Sequence, residues 1–472
     1  MPNNTKRKDA GNFAWIAIGE LIGRVFQFLY LKVLTGAIGT ENFGIISFAQ
    51  SNVSFFVLFA TLGLDTYGIR EIAKNKESSS SLVNSILTLR LLLSFLVYGL
   101  LFSYISFSVE SEFIRLIMLI IGLRVIAESL HLSWVFQGLE NFKVSALRNT
   151  ALYFFSFVGI YTLVSTPDHT SLAVIILMIV MISVSLAQII YYILKIDSIK
   201  ISINFDTWKK ILKQSIPIGI SAFFIIVYNN SDMVMIGYMR NNIETGLYSA
   251  AFKILSIAII PSGLIQQIFY PKLSKFKSPE DSLRILIKYI QILFSLAVFI
   301  SGSFYIYAKD LILFQFHKEY IASVPALEIM TIKIFLSFAA VTFTTSLLAS
   351  SRQNFVMKAV AFSALLNVVL NFILIPDFGF IGAAWTTVIS EFFVVISLSW
   401  MTIKICKENL LKYILKPMSI GIISVIISYS VFDLLGNLII SSLISILVFG
   451  VLVIFSKIIS VQDLKETLTN KK

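Results

Sequence analysis

The sequence of 472 residues predicts an all-α integral membrane protein with about fourteen transmembrane helices. Three observations predict this class. Apolar residues make up 57% of the chain, charged residues only 14%, and the mean hydropathy is +0.86, an apolar balance above that of soluble domains. Fourteen apolar stretches are each long enough to cross a hydrocarbon core roughly 30 Å thick. The loops between them alternate between rich and poor in basic residues.

The fourteen predicted spans follow one another with short connections. Three connections exceed a dozen residues, at about 65–81, 196–213 and 308–324. In chain order the spans cover about residues 12–35, 42–64, 82–106, 113–137, 147–165, 171–195, 214–238, 246–270, 283–307, 325–350, 355–375, 380–405, 412–433 and 437–459.

The 38 Lys and Arg residues are distributed unevenly between the two sides of the membrane. The termini and even-numbered loops hold 27 of them, and the odd-numbered loops hold only Arg240, Lys309 and Lys318. Because basic residues are enriched in cytoplasmic loops, both termini are predicted to be cytoplasmic, in a multi-pass protein of the inner membrane. The same distribution accounts for the net charge of +12, so nucleic acid is not expected as a partner.

The loops predict neither a catalytic domain nor a cofactor site. The connection at 308–324 is too short to fold as a domain, and the one at 196–213 is typical of a short interfacial helix. Cys406 is the only cysteine, and the three histidines are far apart in the sequence, so no metal site is predicted. We therefore expect a protein that is not an enzyme and that acts within the membrane.

The two halves of the chain resemble one another. Residues 42–49 match residues 244–251 at an offset of 202, with Gly, Ser and Ala coinciding. Residues 137–142 resemble 350–355, and the fifth and eleventh spans both end in a Pro-Asp pair. Three matches in the same order make chance similarity between apolar segments an inferior explanation.

A repeat of six helices returns the chain to the side on which it started, so the two halves have the same orientation. The sequence thus predicts two six-helix lobes in a parallel pseudo-two-fold repeat, plus two appended C-terminal helices. The predicted parts are an N-lobe at 1–200, an interfacial linker helix at 201–213, a C-lobe at 214–406, and the last two spans with a cytoplasmic tail at 407–472.

Three motifs carry a resemblance to a known family. They are Gly39–Gly44, Asp232–Gly237 leading to Thr245–Ala251, and Ile375–Trp385. These stretches resemble the Wzx-type polysaccharide (O-antigen) flippases of the multidrug/oligosaccharidyl-lipid/polysaccharide (MOP) superfamily, over essentially the whole chain. The resemblance implies a V-shaped bundle that moves undecaprenyl-pyrophosphate-linked oligosaccharide to the outer leaflet. It does not identify the glycan, or choose between O-antigen and capsule.

Ionisable residues inside a membrane are costly and usually face a cavity or the interior of the bundle. The predicted spans contain few of them, and the polar run in span 7 adds two asparagines. The candidate substrate-binding residues are Arg24, Arg124, Arg90, Lys253, Lys333, Glu20, Glu128, His131, Asn229, Asn230, Asp232 and Glu391. Lys288 is discounted because its long side chain can reach the cytoplasmic interface.

Two interpretations of these charges stay open. Glu20 and Arg24, and likewise Arg124 and Glu128, are four residues apart and lie on one face of a helix. Each pair either neutralises itself for insertion, or offers its arginine to a pyrophosphate. Asp232 and Lys253 either form an ion pair, or bind a sugar or a coupling ion. Pro261 bends span 8, either as a hinge or as an ordinary transmembrane proline.

The leading functional hypothesis is a flippase that works by alternating access between the lobes, with H⁺ or Na⁺ as coupling ion. Its expected partners are the lipid-linked oligosaccharide and membrane lipids, together with a polysaccharide polymerase and a chain-length regulator. One alternative is a cation-coupled multidrug exporter of the same superfamily. The other is a membrane polymerase or ligase, which generally carries a large periplasmic loop.

Overall fold

A computed structural model describes residues 2–77, 79–275, 279–456 and 458. Of residues 2–18, 20 and 279 only the backbone is described. Within these ranges all regular structure is helical. The α-helices, numbered α1 to α17, span Pro2–Thr61, Leu64–Lys74, Ser79–Ser108, Glu112–Gly122, Arg124–Leu130, Ser133–Gly138, Phe142–Leu163, Thr170–Lys195, Phe205–Met239, Asn242–Ala258, Ile260–Lys275, Pro279–Ile306, Ala308–Gln315, Val324–Ala349, Gln353–Cys406, Leu415–Leu435 and Leu438–Phe455.

The predicted all-α membrane fold is confirmed. In the described ranges, ten helices are long and apolar enough to cross a membrane, with α10 and α11 counted together as one. Two of them, α1 and α15, each cover two predicted spans, and they change direction at Gly39 (φ 75°) and Gly379 (φ 57°), where an L side chain would be strained. The ten helices therefore account for twelve predicted spans, and α4–α7 cover the fourth and fifth.

Span 4 differs from its prediction. One continuous helix was expected at about 113–137, but three short helices, α4, α5 and α6, occupy this stretch. The chain leaves helical geometry at His131 (φ −67°, ψ 143°) and resumes it at Ser133. The corresponding helix of the second half, α14, is continuous from Val324 to Ala349. The break is therefore a feature of the first repeat.

Two further segments refine the predictions. The expected linker helix is the first part of α9, where Trp208 and Ile211 are buried in a core that includes Trp134 and Phe136. Whether this part lies at the membrane surface remains a prediction. Helix α10 ends at Ala258 and α11 begins at Ile260, so the helix is interrupted just before Pro261, as a proline requires.

The chain forms two compact units, Met1–Gly246 and Leu247–Lys472. The first contains α9 because the buried start of that helix packs into the core of the first unit. The predicted lobes, 1–200 and 214–406, were defined by the sequence repeat, whereas the two compact units are defined by packing. The lobe boundaries therefore remain a prediction.

Inside the first unit, two matched positions of the repeat pack against each other. A Cβ atom added to Gly44 would overlap the carbonyl of Asn242, and one added to Gly246 would overlap the carbonyl of Thr40. Thr40 and Gly44 lie 202 positions before Asn242 and Gly246, which is the offset of the repeat. The contact is therefore symmetric, and it supports the predicted two-fold relation of these two segments. It also requires glycine at both places.

Substituting either glycine with alanine is expected to lower the amount of folded protein in the membrane several-fold, because the methyl group meets backbone that cannot move independently. Immunoblotting of membrane fractions measures the effect. Gly99→Ala is the matched control, since no atom lies within 4 Å of the added methyl group. Alanine also favours helices over glycine. Wild-type amounts of Gly44→Ala protein would contradict the close contact.

Candidate functional site

A polar cluster lies in the first unit, on four helices and around the break in span 4. Asp65 stands on α2 and Arg90 on α3, while Arg124 and Glu128 belong to α5. His131 follows α5 directly, and Arg148 comes from α7. Each member contacts at least one other member, so we call these six residues the polar cluster.

Arg90 is the buried centre of the polar cluster, and its side chain is fully inaccessible to solvent. Its Nη1 atom donates a hydrogen bond of 2.6 Å to Oδ1 of Asp65, and its Nη2 atom donates to the carbonyl of Glu128. A buried guanidinium must be paired to be tolerated. Arg90 is thus held in place by Asp65 and by the Glu128 carbonyl. It supports the site and does not reach a ligand.

The bond from Arg90 to the Glu128 carbonyl explains how the helix break is tolerated. In a continuous helix this carbonyl would accept from the N–H of Leu132. Here Leu132 N–H instead donates to Oε1 of Gln188 at 3.1 Å, and Nε2 of Gln188 donates to Oγ of Ser133. The Glu128 carbonyl and the Leu132 N–H, which would pair in a continuous helix, therefore each have a side-chain partner, as membrane-embedded backbone requires.

Glu128 is the central residue of the accessible part of the polar cluster. Its carboxylate lies 3.8 Å from Nε of Arg124, 3.5 Å from Nη2 of Arg148 and 3.2 Å from Nε2 of His131. The contact between Arg124 and Glu128 confirms the one expected from their spacing. His131 was expected to extend the same helical stripe; it contacts Glu128, but from beyond the end of the helix.

The charges of the polar cluster do not cancel. Three guanidinium groups, from Arg90, Arg124 and Arg148, face the two carboxylates of Asp65 and Glu128. Burial raises the pKa of the Asp65 carboxyl above its ordinary value, and the charge of Arg90 opposes that shift. Among the described residues, no group of His, Cys, Asp and Glu side chains is arranged to hold a metal ion. The local excess is cationic and suits an anionic ligand.

Accessibility distinguishes the arginines. A third of the Arg124 side chain is exposed, and its Nη1 atom lies 3.4 Å from Oγ of Ser54. Arg148 is more enclosed, and its buried Nε has no hydrogen-bond partner among the described residues. Arg124 and Arg148 thus retain donor capacity toward a ligand, whereas Arg90 is inaccessible.

Arg24 joins the same region from α1. It is exposed, and its Nη1 atom donates to Oε1 of Gln27 at 3.2 Å. The preceding residue, Gly23, packs on α7, where an added Cβ atom would lie 3.6 Å from the backbone nitrogen of Thr150. Arg24 thus lies beside the helix that carries Arg148. The predicted pairing of Arg24 with Glu20 cannot be assessed, because the Glu20 side chain lies outside the described residues.

The second unit contains a smaller group of candidates. Lys333 on α14 is almost fully buried, and its Nζ atom lies 5.5 Å from the centroid of the Phe252 ring. One turn further along α14, Ser337 donates a hydrogen bond of 3.4 Å to Oε1 of the buried Glu391 on α15. Lys253, next to Phe252, is half-buried. These residues form the polar part of the interior of the second unit.

The polar run in span 7 is divided between surface and interior. Asn229 is exposed, and Asn230 donates a hydrogen bond of 3.0 Å to the carbonyl of Ile226 within its own helix. Asp232 is buried, with 2% of its surface exposed. The predicted ion pair between Asp232 and Lys253 remains a prediction.

Sequence reasoning missed three members of this site. Asp65 lies just after the predicted second span, and Arg148, in the first turn of the fifth, was counted among the cytoplasmic basic residues. Gln188 was overlooked because it is uncharged. One signal in the sequence could have identified Asp65 and Arg148. Both are charged residues within one or two helical turns of the end of a predicted span, and from there a side chain can reach into the bundle.

The sequence model of the polysaccharide biosynthesis protein family matches residues 10–277. The capsular polysaccharide biosynthesis protein CapF of Staphylococcus aureus is 22% identical over 393 residues, which cover 82% of this chain and 97% of that protein. A putative O-antigen transporter of Shigella dysenteriae is 22% identical over 377 residues, with coverage of 78% and 92%.

Two solved structures share the fold. The lipid II flippase MurJ in an inward closed conformation has a TM-score of 0.73 at 15% identity, covering 94% of this chain and 98% of that one. An inward-facing MATE family multidrug resistance transporter of the MOP superfamily has a TM-score of 0.64 at 13% identity, covering 84% and 99%. The resemblance predicted from the three motifs is confirmed.

Proposed function

Because the chain belongs to the polysaccharide biosynthesis protein family, we propose that it is a flippase for lipid-linked oligosaccharide. Its substrate is an undecaprenyl-pyrophosphate-linked repeat unit, which it moves from the cytoplasmic to the periplasmic leaflet of the bacterial inner membrane. Both termini are cytoplasmic in this proposal. The product serves surface polysaccharide biosynthesis, O-antigen or capsule, together with a polymerase and a chain-length regulator.

The cationic excess of the polar cluster carries the proposal. A pyrophosphate linker bears negative charge along a row of oxygens, and a guanidinium can bind such oxygens in a bidentate fork. Arg124 is exposed enough to make this contact, Arg148 contacts the same Glu128 carboxylate, and Arg24 lies on the part of α1 that packs against α7. The rest of the substrate is sugar and hydrocarbon, so the pyrophosphate is the part that needs cations.

Glu128 stabilises the site when no substrate is bound. Without substrate, its carboxylate lies within 3.8 Å of side-chain nitrogens of Arg124, Arg148 and His131 and keeps the arginines from standing unpaired in the membrane. An arriving pyrophosphate competes for the two arginines, and its release allows Glu128 to pair with them again. Alternating access between the lobes carries the bound headgroup across, and an H⁺ or Na⁺ gradient supplies the driving force.

The multidrug exporter alternative is less well supported. The likeness to a MATE transporter concerns the fold alone. A cationic drug at the polar cluster would be exposed to the net positive charge of three guanidinium groups and two carboxylates, which is electrostatically unfavourable.

Deletion of the gene tests the proposal. Surface polysaccharide should disappear, and its lipid-linked repeat unit should accumulate on the cytoplasmic leaflet, because synthesis continues while translocation stops. Mass spectrometry of extracted lipids measures the accumulation, and a plasmid copy should reverse it. Unchanged surface polysaccharide combined with greater drug sensitivity would instead favour the exporter.

A further inference from the structure

A groove of about 710 Å³ runs between α7 and α8 in the first unit. Its sides are almost entirely hydrocarbon, with Phe155 and Val158 on α7 and Ile179 on α8. Its middle is lined by small side chains, Ala151 on α7 and Ser183 on α8. Alternating small and large apolar residues leave a channel that fits a chain of carbon atoms better than a compact molecule.

The groove lies on a different face of α7 from the one that packs on α1. Ala146 and Thr150 face α1, where the Thr150 hydroxyl donates to the carbonyl of Gly19 at 2.9 Å. The groove residues Leu147 and Ala151 each come one residue after Ala146 and Thr150, so they lie on a neighbouring face of α7, as does Phe155. Leu147 and Phe155 are each at least half exposed. No described helix of the first unit therefore fills the groove.

One end of the groove is polar and leads to the site. Arg148 and Gln188 are part of its lining. They also contact the polar cluster and the broken span, through Glu128 and through the N–H of Leu132. Arg148 lies six residues after the start of α7 at Phe142, or about 9 Å along the helix. Since the basic-residue distribution places this end at the cytoplasm, the guanidinium lies near the inner-leaflet headgroups.

The length of the groove selects among lipids. Its lining on α7 runs from Val144 to Leu163, a distance of nineteen residue steps or about 28 Å at the helical rise. This is nearly the full hydrocarbon thickness of roughly 30 Å, whereas one leaflet supplies only about half of it. An acyl chain of an inner-leaflet phospholipid would fill only the near half, so filling the groove with phospholipid takes one chain from each leaflet. A polyisoprenoid chain is long enough to occupy the whole groove.

We propose that the α7–α8 groove holds the polyisoprenoid chain of the lipid-linked substrate as it enters from the cytoplasmic leaflet, with its phosphates at Arg148. The inference rests on the proposed function and adds to it a place for the tail. An anionic head with a long apolar tail is complementary to a groove that is cationic at one end and apolar along its length. From Arg148 the phosphates have a direct route to Arg124, because both arginines contact Glu128.

Photo-crosslinking in vesicles tests this placement. The full-length protein carries p-benzoylphenylalanine at position Ser183, in the groove, or at Leu96 on α3, which is exposed outside it. The vesicles contain phosphatidylethanolamine, phosphatidylglycerol and a small fraction of undecaprenyl phosphate. Mass spectrometry should find undecaprenyl adducts at Ser183 at least tenfold above Leu96. Equal yields at the two positions, or phospholipid adducts dominating at Ser183, would overturn the inference.

Filling the groove gives a second measurement. Ala151→Trp should reduce the undecaprenyl adduct at Ser183 by at least tenfold, and Ala187→Phe serves the same purpose if the first variant does not fold. An undiminished adduct in a folded variant would contradict the groove as the binding place. These arms measure lipid contact without transport. The two crosslinking experiments can therefore contradict the groove while gene deletion still supports the flippase. They can also support the groove if gene deletion leaves the surface polysaccharide unchanged.

Discussion

Arg124→Ala is expected to reduce surface polysaccharide at least tenfold while the protein remains in the membrane at normal amounts. Arg124 is partly exposed, so removing it leaves no buried cavity, and Glu128 keeps Arg148 and His131 as partners. The loss should therefore fall on substrate binding rather than on folding. Arg124→Lys should restore display only in part, because an ammonium cannot form the bidentate fork.

Arg240→Ala is a matched control for this experiment. Arg240 pairs with Glu244 four residues further along at 3.0 Å, and 37% of its side chain is exposed, compared with 33% for Arg124. It differs in lying outside the polar cluster, so its loss should leave surface polysaccharide unchanged. Wild-type display by an Arg24→Ala, Arg124→Ala double variant would remove both arginines from the mechanism.

The second large effect concerns Asp65 and Arg90, and it should appear as a loss of protein. Asp65→Leu leaves the guanidinium of Arg90 fully buried and without its carboxylate. In soluble proteins an unmatched buried charge costs about 3–5 kcal/mol. Arg90→Met should cost less, because a third of the Asp65 side chain is exposed and can be hydrated.

The double variant separates pairing from function. Asp65→Leu with Arg90→Met removes both charges, so its abundance should equal or exceed that of Arg90→Met. It should stay below wild type, because the Glu128 carbonyl loses its donor, at about 1–3 kcal/mol. Asp168→Leu, at an exposed aspartate, is the control and should be neutral. If Asp65→Leu accumulated like wild type, the ion pair would have no structural role.

The fold was largely predictable because hydropathy and basic-residue counts report directly on membrane crossing. Both helical reversals within α1 and α15 fall between spans that the apolar pattern had already separated. The break in span 4 was not predictable. Its apolar pattern continues through His131, and the break is stabilised by Arg90 and Gln188, which lie 41 positions before and 57 positions after it.

The site was predictable only where its contacts are local. Helical spacing of four predicted the contact between Arg124 and Glu128, which the structure confirms. The contacts of Glu128 with Arg148 and of Arg90 with Asp65 join different helices. No periodicity within one segment encodes such a contact, and only the packing of the first unit shows that these charges converge.

Transport in reconstituted vesicles tests the central claim most directly. Purified protein is placed in vesicles that contain an undecaprenyl-pyrophosphate-linked oligosaccharide, and the fraction of sugar accessible to an added glycosidase is followed with time. We expect the wild type to make the inner-leaflet pool accessible, and Arg124→Ala to do so at least tenfold more slowly. Wild-type vesicles that match protein-free vesicles under an imposed H⁺ or Na⁺ gradient would contradict the account.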